Sequence, residues 1–344
     1  MQHEKKVIRW GIIGCGAVTE VKSGPAFQRV PGSALALVMR RTPELAADYA
    51  QRHGVERWTT DALELIRDSE VDAVYIATPP GSHAEFALQV AAAGKPAYIE
   101  KPLARCAAES ERIINAFRKA GQPLFVAYYR RALPYFLEAK KLLDSGVLGK
   151  VTAVNILFRS GGCLNVDVAN LPWRLLARES GGGLFMDLAC HTLDIVDFLL
   201  GPLEDVAGSA TRRPDAPYAV EDHVEMSFRI GSAAGAGLWD FCAPTREDET
   251  VIRGERGSLR LATFNSPLLT LETEDGIQKI ECPHPPTIQE PLVTTIVAEL
   301  LGHGKCHSTG DTALRTARVM DTVLAGFYQG RADRFWECAP SRAE

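Results

Sequence analysis

The sequence predicts an α/β protein in two parts: a doubly wound, parallel β-sheet comes first, and an α+β part with a large, mainly antiparallel open sheet follows. Three observations support this fold class. Short apolar runs alternate with helical stretches up to about residue 125, a glycine-rich turn follows the first run, and longer strand-like segments come after residue 125. We therefore expect one domain over residues 1–125 and a second over residues 126–344.

Strands and helices alternate in the first part. Strands are expected near residues 7–13, 35–39, 73–77, 96–99 and 124–127, and helices near 43–53, 61–68, 83–93 and 107–120. Successive strands that are separated by helices favour parallel pairing, with the helices covering both faces of the sheet.

The second part has longer strands and fewer helices. Strands are expected near residues 150–159, 222–230, 234–241, 249–254 and 258–263, and helices near 184–200, 288–302 and 312–329. This pattern favours an antiparallel sheet with helices on one face. The other face needs a cover, which a symmetric partner can supply, so we expect a homodimer or homotetramer through this sheet.

Composition excludes several classes of protein. A chain of 344 residues with 46% hydrophobic content can form two cores, and its net charge of −5 argues against a nucleic-acid partner. No apolar stretch approaches the length that spans a membrane, so we expect a cytoplasmic protein without a membrane partner. The eight cysteines include no C-x-x-C pair and are expected to be reduced, mostly buried side chains.

A glycine pair follows the first predicted strand. In a dinucleotide-binding turn the first glycine, here Gly14, permits the turn, and the second, Gly16, lets the pyrophosphate approach the backbone. The helix that starts at Ala17 and Val18 offers free N–H groups to the phosphates. Thr19 occupies the third glycine position of the fingerprint, so the helix and strand are expected to pack less closely.

The end of the second strand indicates which cofactor binds. An NAD enzyme usually has an acid there to hold the ribose 2′-hydroxyl. This chain has Arg40 and Arg41 instead, and its next acid is Glu44. Guanidinium groups suit a 2′-phosphate, so NADP(H) is the expected cofactor, with NAD(H) as the other possibility. The alternative interpretation is a pair of solvated arginines before a helix at Pro43.

The loop after the third predicted strand is expected to cover the nicotinamide half of the cofactor. Thr78, Pro79 and Pro80 lie at the carboxyl end of this strand, where ligands of open α/β sheets bind. His83 follows them and is expected either to contact the cofactor or to cap the next helix.

Glu100 and Lys101 follow the next strand and are expected at the same edge of the sheet. Desolvation and the positive charge of an oxidised nicotinamide would both lower the pKa of Lys101, which suits proton transfer. Glu100 would instead stabilise the charged lysine. We therefore expect both residues near the cofactor and a catalytic role for Lys101.

A glycine run, Gly181–Gly183, precedes three ionisable residues. Asp187, His191 and Asp194 are spaced by four and three positions, which places them on one face of a helix. One carboxylate could orient the imidazole while the other meets a substrate hydroxyl. The alternatives are an inert polar helix face and a metal site, but no second histidine lies at helical spacing, so no metal is expected.

Aromatic and basic residues suggest where a substrate binds. Trp173 and Arg174 precede the glycine run and could offer an aromatic surface and a guanidinium to a sugar ring, with core packing as the alternative for Trp173. Tyr129 and Arg131, after the last strand of the first part, could face the same substrate.

Through these motifs, the sequence resembles the Gfo/Idh/MocA family (glucose-fructose oxidoreductase / inositol dehydrogenase) over nearly the whole chain. The matching segments are 11–16, 77–83, 100–102, 131–134, 145–149 and 181–194. The resemblance implies an N-terminal Rossmann domain, a C-terminal substrate-binding domain and hydride transfer to or from a sugar, anhydro-sugar, polyol or related cyclic alcohol. Within the family, the sequence most resembles the NADP-dependent branch of 1,5-anhydro-D-fructose reductase-like and dihydrodiol dehydrogenase-like members.

The resemblance implies a reductase or dehydrogenase in which Lys101, Asp187 and His191 are catalytic. Either Lys101 or His191 would protonate the carbonyl oxygen as the hydride arrives, and Asp187 would orient the substrate. The family also contains nonenzymatic NAD(P)-sensing regulators and NAD-dependent redox glycosidases. The presence of Lys101 and His191 disfavours the first alternative, and Arg40 with an exchangeable NADPH disfavours the second.

Overall fold

The structure, a computed structural model, describes residues 7–164, 166–264, 266–332 and 334–337. The chain forms two compact units that interleave in sequence. The first comprises Met1–Ala104, Glu109–Leu133 and Pro285–Ala313, and the second comprises Arg105–Ala108, Pro134–His284 and Leu314–Glu344. The domain boundary near residue 125 stays a prediction. Residues 1–6, which precede the first predicted strand, lie outside the described residues.

The first unit contains a parallel sheet of six strands among the described residues. They are β1 (Ile8–Ile13), β2 (Ser33–Met39), β3 (Trp58–Thr59), β4 (Ala73–Ile76), β5 (Ala97–Ile99) and β6 (Leu124–Val126). Their order is β3-β2-β1-β4-β5-β6, and every pair is parallel. The order reverses between β1 and β4, which is where open sheets of this type bind ligands. The predicted doubly wound sheet is confirmed.

The helices lie close to their predicted positions. They are α1 (Ala17–Val21), α2 (Gly24–Arg29), α3 (Pro43–Arg52), α4 (Ala62–Arg67), α5 (His83–Ala92), α6 (Ala107–Ala120), α7 (Pro134–Asp144), α8 (Ala177–Ser180), α9 (Cys190–Leu200), α10 (Glu290–Leu300) and α11 (Gly310–Leu324). Three helices, α2, α7 and α8, were not predicted from the sequence. The helix predicted at α9 also extended back to residue 184, where the structure has a π-helix, Phe185–Ala189.

The second unit contains the second sheet, whose eight strands are all in the described part of the chain. They are β7 (Val151–Arg159), β8 (Glu204–Thr211), β9 (His223–Ile230), β10 (Ala233–Asp240), β11 (Glu247–Gly254), β12 (Gly257–Leu261), β13 (Leu268–Thr273) and β14 (Gly276–Glu281). The order is β14-β13-β12-β11-β7-β10-β9-β8, and only β7 and β10 pair in parallel. The predicted open, mainly antiparallel sheet is confirmed.

Burial explains why the two sheets have different sequence patterns. In β1, five of the six residues are buried, as expected for a strand covered on both faces. In β9, Val224, Met226 and Phe228 are buried, while the residues between them are exposed. The second sheet therefore has one covered and one open face.

The seven cysteines in the described residues form no disulfide, and Cys338 lies outside them. Burial raises the pKa of the Cys163 thiol to about 12 and of the Cys15 thiol to about 11. These two thiols are therefore protonated at neutral pH, as expected for cysteines that serve as small buried side chains.

Candidate active site

The turn between β1 and α1 has the geometry of a dinucleotide-binding turn. Gly14 has a φ of +91°, and a Cβ there would lie 2.7 Å from Thr78 Cγ2. Glycine is therefore needed for both conformation and space. A Cβ on Gly16 would have no neighbour nearer than the Gly14 carbonyl oxygen, at 3.9 Å. The backbone at Gly16 is thus open to the approach of a pyrophosphate.

Thr19 replaces the third glycine of the fingerprint without disturbing the turn. Its hydroxyl donates to the Gly16 carbonyl at 2.8 Å, and its own carbonyl accepts the Tyr49 hydroxyl at 3.1 Å. Its side chain is fully buried. The threonine therefore closes the turn with a hydrogen bond of its own, and the residues fit a dinucleotide cofactor despite the incomplete motif.

Arg40 lies beside this turn. Its Nη1 donates to the Cys15 carbonyl at 3.3 Å, whereas Arg41 is exposed. The guanidinium of Arg40 is thus close to the residues that would hold the pyrophosphate.

His83 is fully buried and contacts backbone on both sides. Its Nε2 lies 2.7 Å from the Thr78 carbonyl oxygen, and its Nδ1 lies 3.1 Å from that of Pro102 and 3.2 Å from that of Leu103. The imidazole therefore ties the loop after β4 to the segment after Lys101. These contacts favour a positioning role, and direct contact of Thr78, Pro79, Pro80 or His83 with the cofactor stays a prediction.

Glu100 is held from three sides at the carboxyl end of β5. Its Oε1 accepts hydrogen bonds from the Tyr75 hydroxyl at 2.6 Å and the Gln289 amide at 2.8 Å, and its Oε2 accepts from the Lys101 backbone N–H at 3.2 Å. Gln289 in turn accepts from the Tyr98 hydroxyl at 2.7 Å. Gln289 was not predicted from the sequence, because this residue lies 189 positions from Glu100 and no local motif marks it.

Tyr129 and Arg131 lie in the short 3-10 helix Tyr129–Ala132 of the first unit, and both are buried. Arg130 stacks over the Tyr129 ring at 4.8 Å, and Arg131 donates to the His307 carbonyl at 3.3 Å. A role in substrate binding stays a prediction for both residues.

In the second unit, Asp187 lies in the π-helix and His191 in the first turn of α9, and both are buried. The Nε of Arg174 donates to the Asp187 carboxylate at 2.7 Å, and the same guanidinium lies 4.4 Å from the centre of the Trp173 ring. Single π turns are frequent at functional sites. The structure thus brings Trp173, Arg174 and Asp187 together, because the Arg174 guanidinium contacts both the Trp173 ring and the Asp187 carboxylate.

The glycine run is fixed by a buried carboxylate. The Gly183 N–H donates to Glu221 Oε1 at 2.8 Å, and Tyr328 donates its hydroxyl to Glu221 Oε2 at 2.6 Å. A Cβ at position 183 would lie 2.4 Å from the Glu221 carbonyl oxygen. Burial raises the pKa of Glu221 despite these two donors. Glycine is needed here because the run packs directly against the backbone at Glu221.

Arg331 fixes the other end of the run. Its Nη1 donates to the Gly181 carbonyl at 2.6 Å, its Nη2 donates to the Arg105 carbonyl at 2.8 Å, and its Nε pairs with Asp321 at 2.9 Å. Three of these residues were not predicted from the sequence: Glu221, Tyr328 and Arg331. A single acid or arginine far from the motif carries no local signal, and only tertiary contacts reveal these residues.

No cluster of three or more histidine, cysteine or acidic side chains suited to a metal ion occurs in the described part of the chain. Within the same ranges, every helix is too short or too polar to cross a membrane.

Two family descriptions match this chain. Residues 8–128 match the oxidoreductase family with an NAD-binding Rossmann fold, and residues 136–260 match the GFO/IDH/MocA C-terminal domain. The chain therefore belongs to the Gfo/Idh/MocA family of oxidoreductases, as its motifs predicted.

Individual relatives extend over nearly the whole chain. An oxidoreductase of Formosa agariphila is 36% identical over 315 residues, which cover 91% of this chain and 97% of the relative. The 1,5-anhydro-D-fructose reductase of Ensifer adhaerens is 28% identical over 336 residues, with coverage of 94% and 97%. Among solved structures, a levoglucosan dehydrogenase in complex with NADH and levoglucosan has a TM-score of 0.82 at 23% identity, with coverage of 93% and 96%. This last likeness concerns the fold alone.

Proposed function

We propose that this protein is an NADP(H)-dependent oxidoreductase that transfers a hydride between the nicotinamide and a CH–OH/C=O carbon of a sugar, anhydro-sugar, polyol or related cyclic alcohol. The observation that carries the proposal is that one chain of this family has both Lys101, directly after β5, and the buried Asp187 and His191, around the start of α9. The reductase of Ensifer adhaerens supports the substrate class.

The proposed reduction requires one proton donor. In the reducing direction, the hydride brings its electron pair to the carbonyl carbon, the C=O π bond breaks, and the oxygen takes a proton from Lys101 or His191. The nicotinamide supplies the hydride when the cofactor is bound. In this proposal Asp187, whose carboxylate accepts a hydrogen bond from Arg174 Nε at 2.7 Å, orients a substrate hydroxyl.

The preference for NADP(H) rests on charge at the end of β2. Arg40 lies beside the glycine turn, Arg41 is exposed, and the first acid after them is Glu44, in the first turn of α3. An NAD-specific site would instead have a carboxylate for the 2′-hydroxyl. The levoglucosan dehydrogenase described above was solved with NADH, so the fold by itself does not select NADP(H).

We expect NADPH-dependent turnover of at least one compound in a panel of keto-sugars, anhydro-sugar ketones, dicarbonyls and inososes. For the active compound, kcat/KM should be at least about tenfold higher with NADPH than with NADH, because charge-assisted contacts to a phosphate contribute 1.5 to 3 kcal/mol. Arg40→Ala should remove most of this preference by raising KM for NADPH and leaving KM for NADH unchanged.

Equal use of the two cofactors by the wild-type protein would contradict the NADP preference. Binding of NADPH without turnover of any compound would favour a nucleotide-sensing regulator. Sugar release without net consumption of a tightly bound cofactor would favour a redox glycosidase.

We infer that the open face of the second sheet joins two or four copies of the chain. The burial patterns of β7 and β10 put Ala153, Leu157, Ala234 and Leu238 on the open face. The register places Ala153 opposite Ala234 and Leu157 opposite Leu238, with Asn155 opposite Ala236 between them, so this part of the face has mostly small and apolar residues. Light scattering after size exclusion should give a dimer or tetramer mass, and Leu238→Arg should shift it towards the monomer because the new charge would be buried. A wild-type monomer at micromolar concentration would contradict the inference.

A further inference from the structure

The hydrogen bonds to Glu100 come from neutral groups: a phenol, a side-chain amide and a backbone N–H. Burial raises the pKa of the Tyr75 and Tyr98 phenols well above their usual values, and both hydroxyls therefore keep their protons. Gln289 must present its amide N–H to Glu100, because its oxygen accepts from Tyr98. The three donors fix the Glu100 carboxylate without neutralising it.

Glu100 lies at the edge of the first sheet where the cofactor is expected to bind. It directly follows β5, whose neighbour β4 leads into the loop at Thr78, and β4 itself pairs with β1, which leads into the glycine turn. Its hydrogen-bond network also reaches the segment after α1. The Tyr75 hydroxyl oxygen lies 3.1 Å from Ser23 Oγ, and the Gln289 backbone N–H donates to the Lys22 carbonyl at 3.1 Å. A buried carboxylate thus lies at the carboxyl edge of the sheet, and its hydrogen-bond network reaches the segment that follows α1.

The two redox forms of a nicotinamide cofactor differ by one positive charge on the ring. A fixed carboxylate within the same domain attracts the oxidised ring and has no such attraction for the reduced one, and low-dielectric surroundings strengthen this difference. Hydrogen bonds from neutral donors preserve the attraction, whereas a fully paired cation would cancel it.

We propose that Glu100 sets the relative affinity of the protein for the oxidised and reduced cofactor, and that Tyr75 and Gln289 act as positioning residues that hold its carboxylate. The proposal rests on the proposed function, because it requires a bound nicotinamide cofactor. Tighter binding of the oxidised form stabilises the product side of ketone reduction. Glu100 therefore favours reduction of the substrate by bound NADPH over oxidation by bound NADP⁺.

The test is the ratio of two dissociation constants, Kd(NADP⁺)/Kd(NADPH), measured by calorimetry and by NADPH fluorescence in the absence of substrate. Glu100→Gln keeps an oxygen that can accept from Tyr75 and Gln289 but removes the charge. The ratio should rise about tenfold in this variant, which is about 1.4 kcal/mol, or a shift of about 30 mV in the potential of the bound two-electron couple.

Two further variants separate charge from packing. Glu100→Asp keeps the charge, so its ratio should stay within about threefold of the wild-type value even if both affinities fall. Glu56→Gln removes an equal charge from an exposed position of the same unit and should leave the ratio unchanged. If Glu100→Gln does not fold, Glu100→Ala tests the same loss of charge, with the same expected rise.

Failure of the proposal and failure of the proposed function give different results. If Glu100→Gln and Glu100→Ala bind both forms with the wild-type ratio, Glu100 does not discriminate between redox forms, although the protein remains a nicotinamide-binding oxidoreductase. A ratio that rises equally in Glu100→Asp would also overturn the proposal, since packing would then explain the change. If the wild-type protein binds neither form, both proposals are wrong.

Discussion

Replacing Lys101 with methionine is expected to lower kcat about 1,000-fold while leaving the Kd for NADPH within about threefold of the wild-type value. Methionine keeps most of the length and apolar surface of the lysine stem but cannot donate a proton. General acid catalysis contributes roughly 10² to 10⁴ in rate, and a charged donor also stabilises the developing alkoxide. The loss should therefore appear in kcat with a smaller change in KM.

The measurement is steady-state turnover with NADPH and the best substrate of the panel, together with NADPH binding and thermal unfolding of each variant. Lys119→Met is the matched control, because Lys119 is exposed on α6 and its replacement removes the same charge and stem. A value of kcat within tenfold of wild type in folded Lys101→Met would exclude Lys101 as the proton donor. The assignment would then pass to His191, whose replacement by asparagine would be the next variant.

The second large effect is expected from Gly183→Ala, a change of one methyl group. The added Cβ would lie 2.4 Å from the Glu221 carbonyl oxygen, which belongs to the backbone and cannot rotate away. Overpacking of this kind costs roughly 1 to 3 kcal/mol and would lower Tm by roughly 2 to 12 °C for a unit of this size. Because Asp187 follows four residues later, displacement of the run should also lower kcat by about 10².

Gly326→Ala is the matched control for this variant, since a Cβ on Gly326 would meet no atom within 4 Å. Differential scanning calorimetry and steady-state kinetics should give nearly wild-type values for it. If Gly183→Ala matched the control in both Tm and kcat, the packing of the glycine run against Glu221 would not support Asp187. A fall in Tm with unchanged kcat would limit the run to a structural role.

The fold class could be predicted because its signals are local. The alternation of strands and helices before residue 125 and the turn at Gly14 each occupy a short stretch of sequence, and the structure has the corresponding elements. Four strands were not predicted. β3 is only two residues long, and β8 and β14 are edge strands with no buried residue, so none of these three produces an apolar pattern. β13 was missed although Leu269 and Leu271 alternate as buried residues.

The residues around the site were only partly predictable, for a different reason. Asp187 and His191 belong to one motif with helical spacing, and Arg174 precedes it closely. Gln289 bonds to Glu100 and Glu221 bonds to Gly183, each from a position far along the chain and through hydrogen bonds that exist only after folding. The π-helix was also missed, because a single extra residue in a helical turn does not change the apolar pattern enough to be seen.

The parallel pairing of β7 with β10 has a consequence for how the second unit folds. β7 lies between β10 and β11, so both of its neighbours come from later in the chain. The chain must close a loop of about 70 residues before the centre of the sheet can form, and such long-range pairing is slow compared with hairpin formation. The segment that carries Asp187 and His191 lies inside this loop. We therefore expect the pairing of β7 with β10 to be the last step in folding of the sheet. The segment that carries Asp187 and His191 should become ordered in that same step.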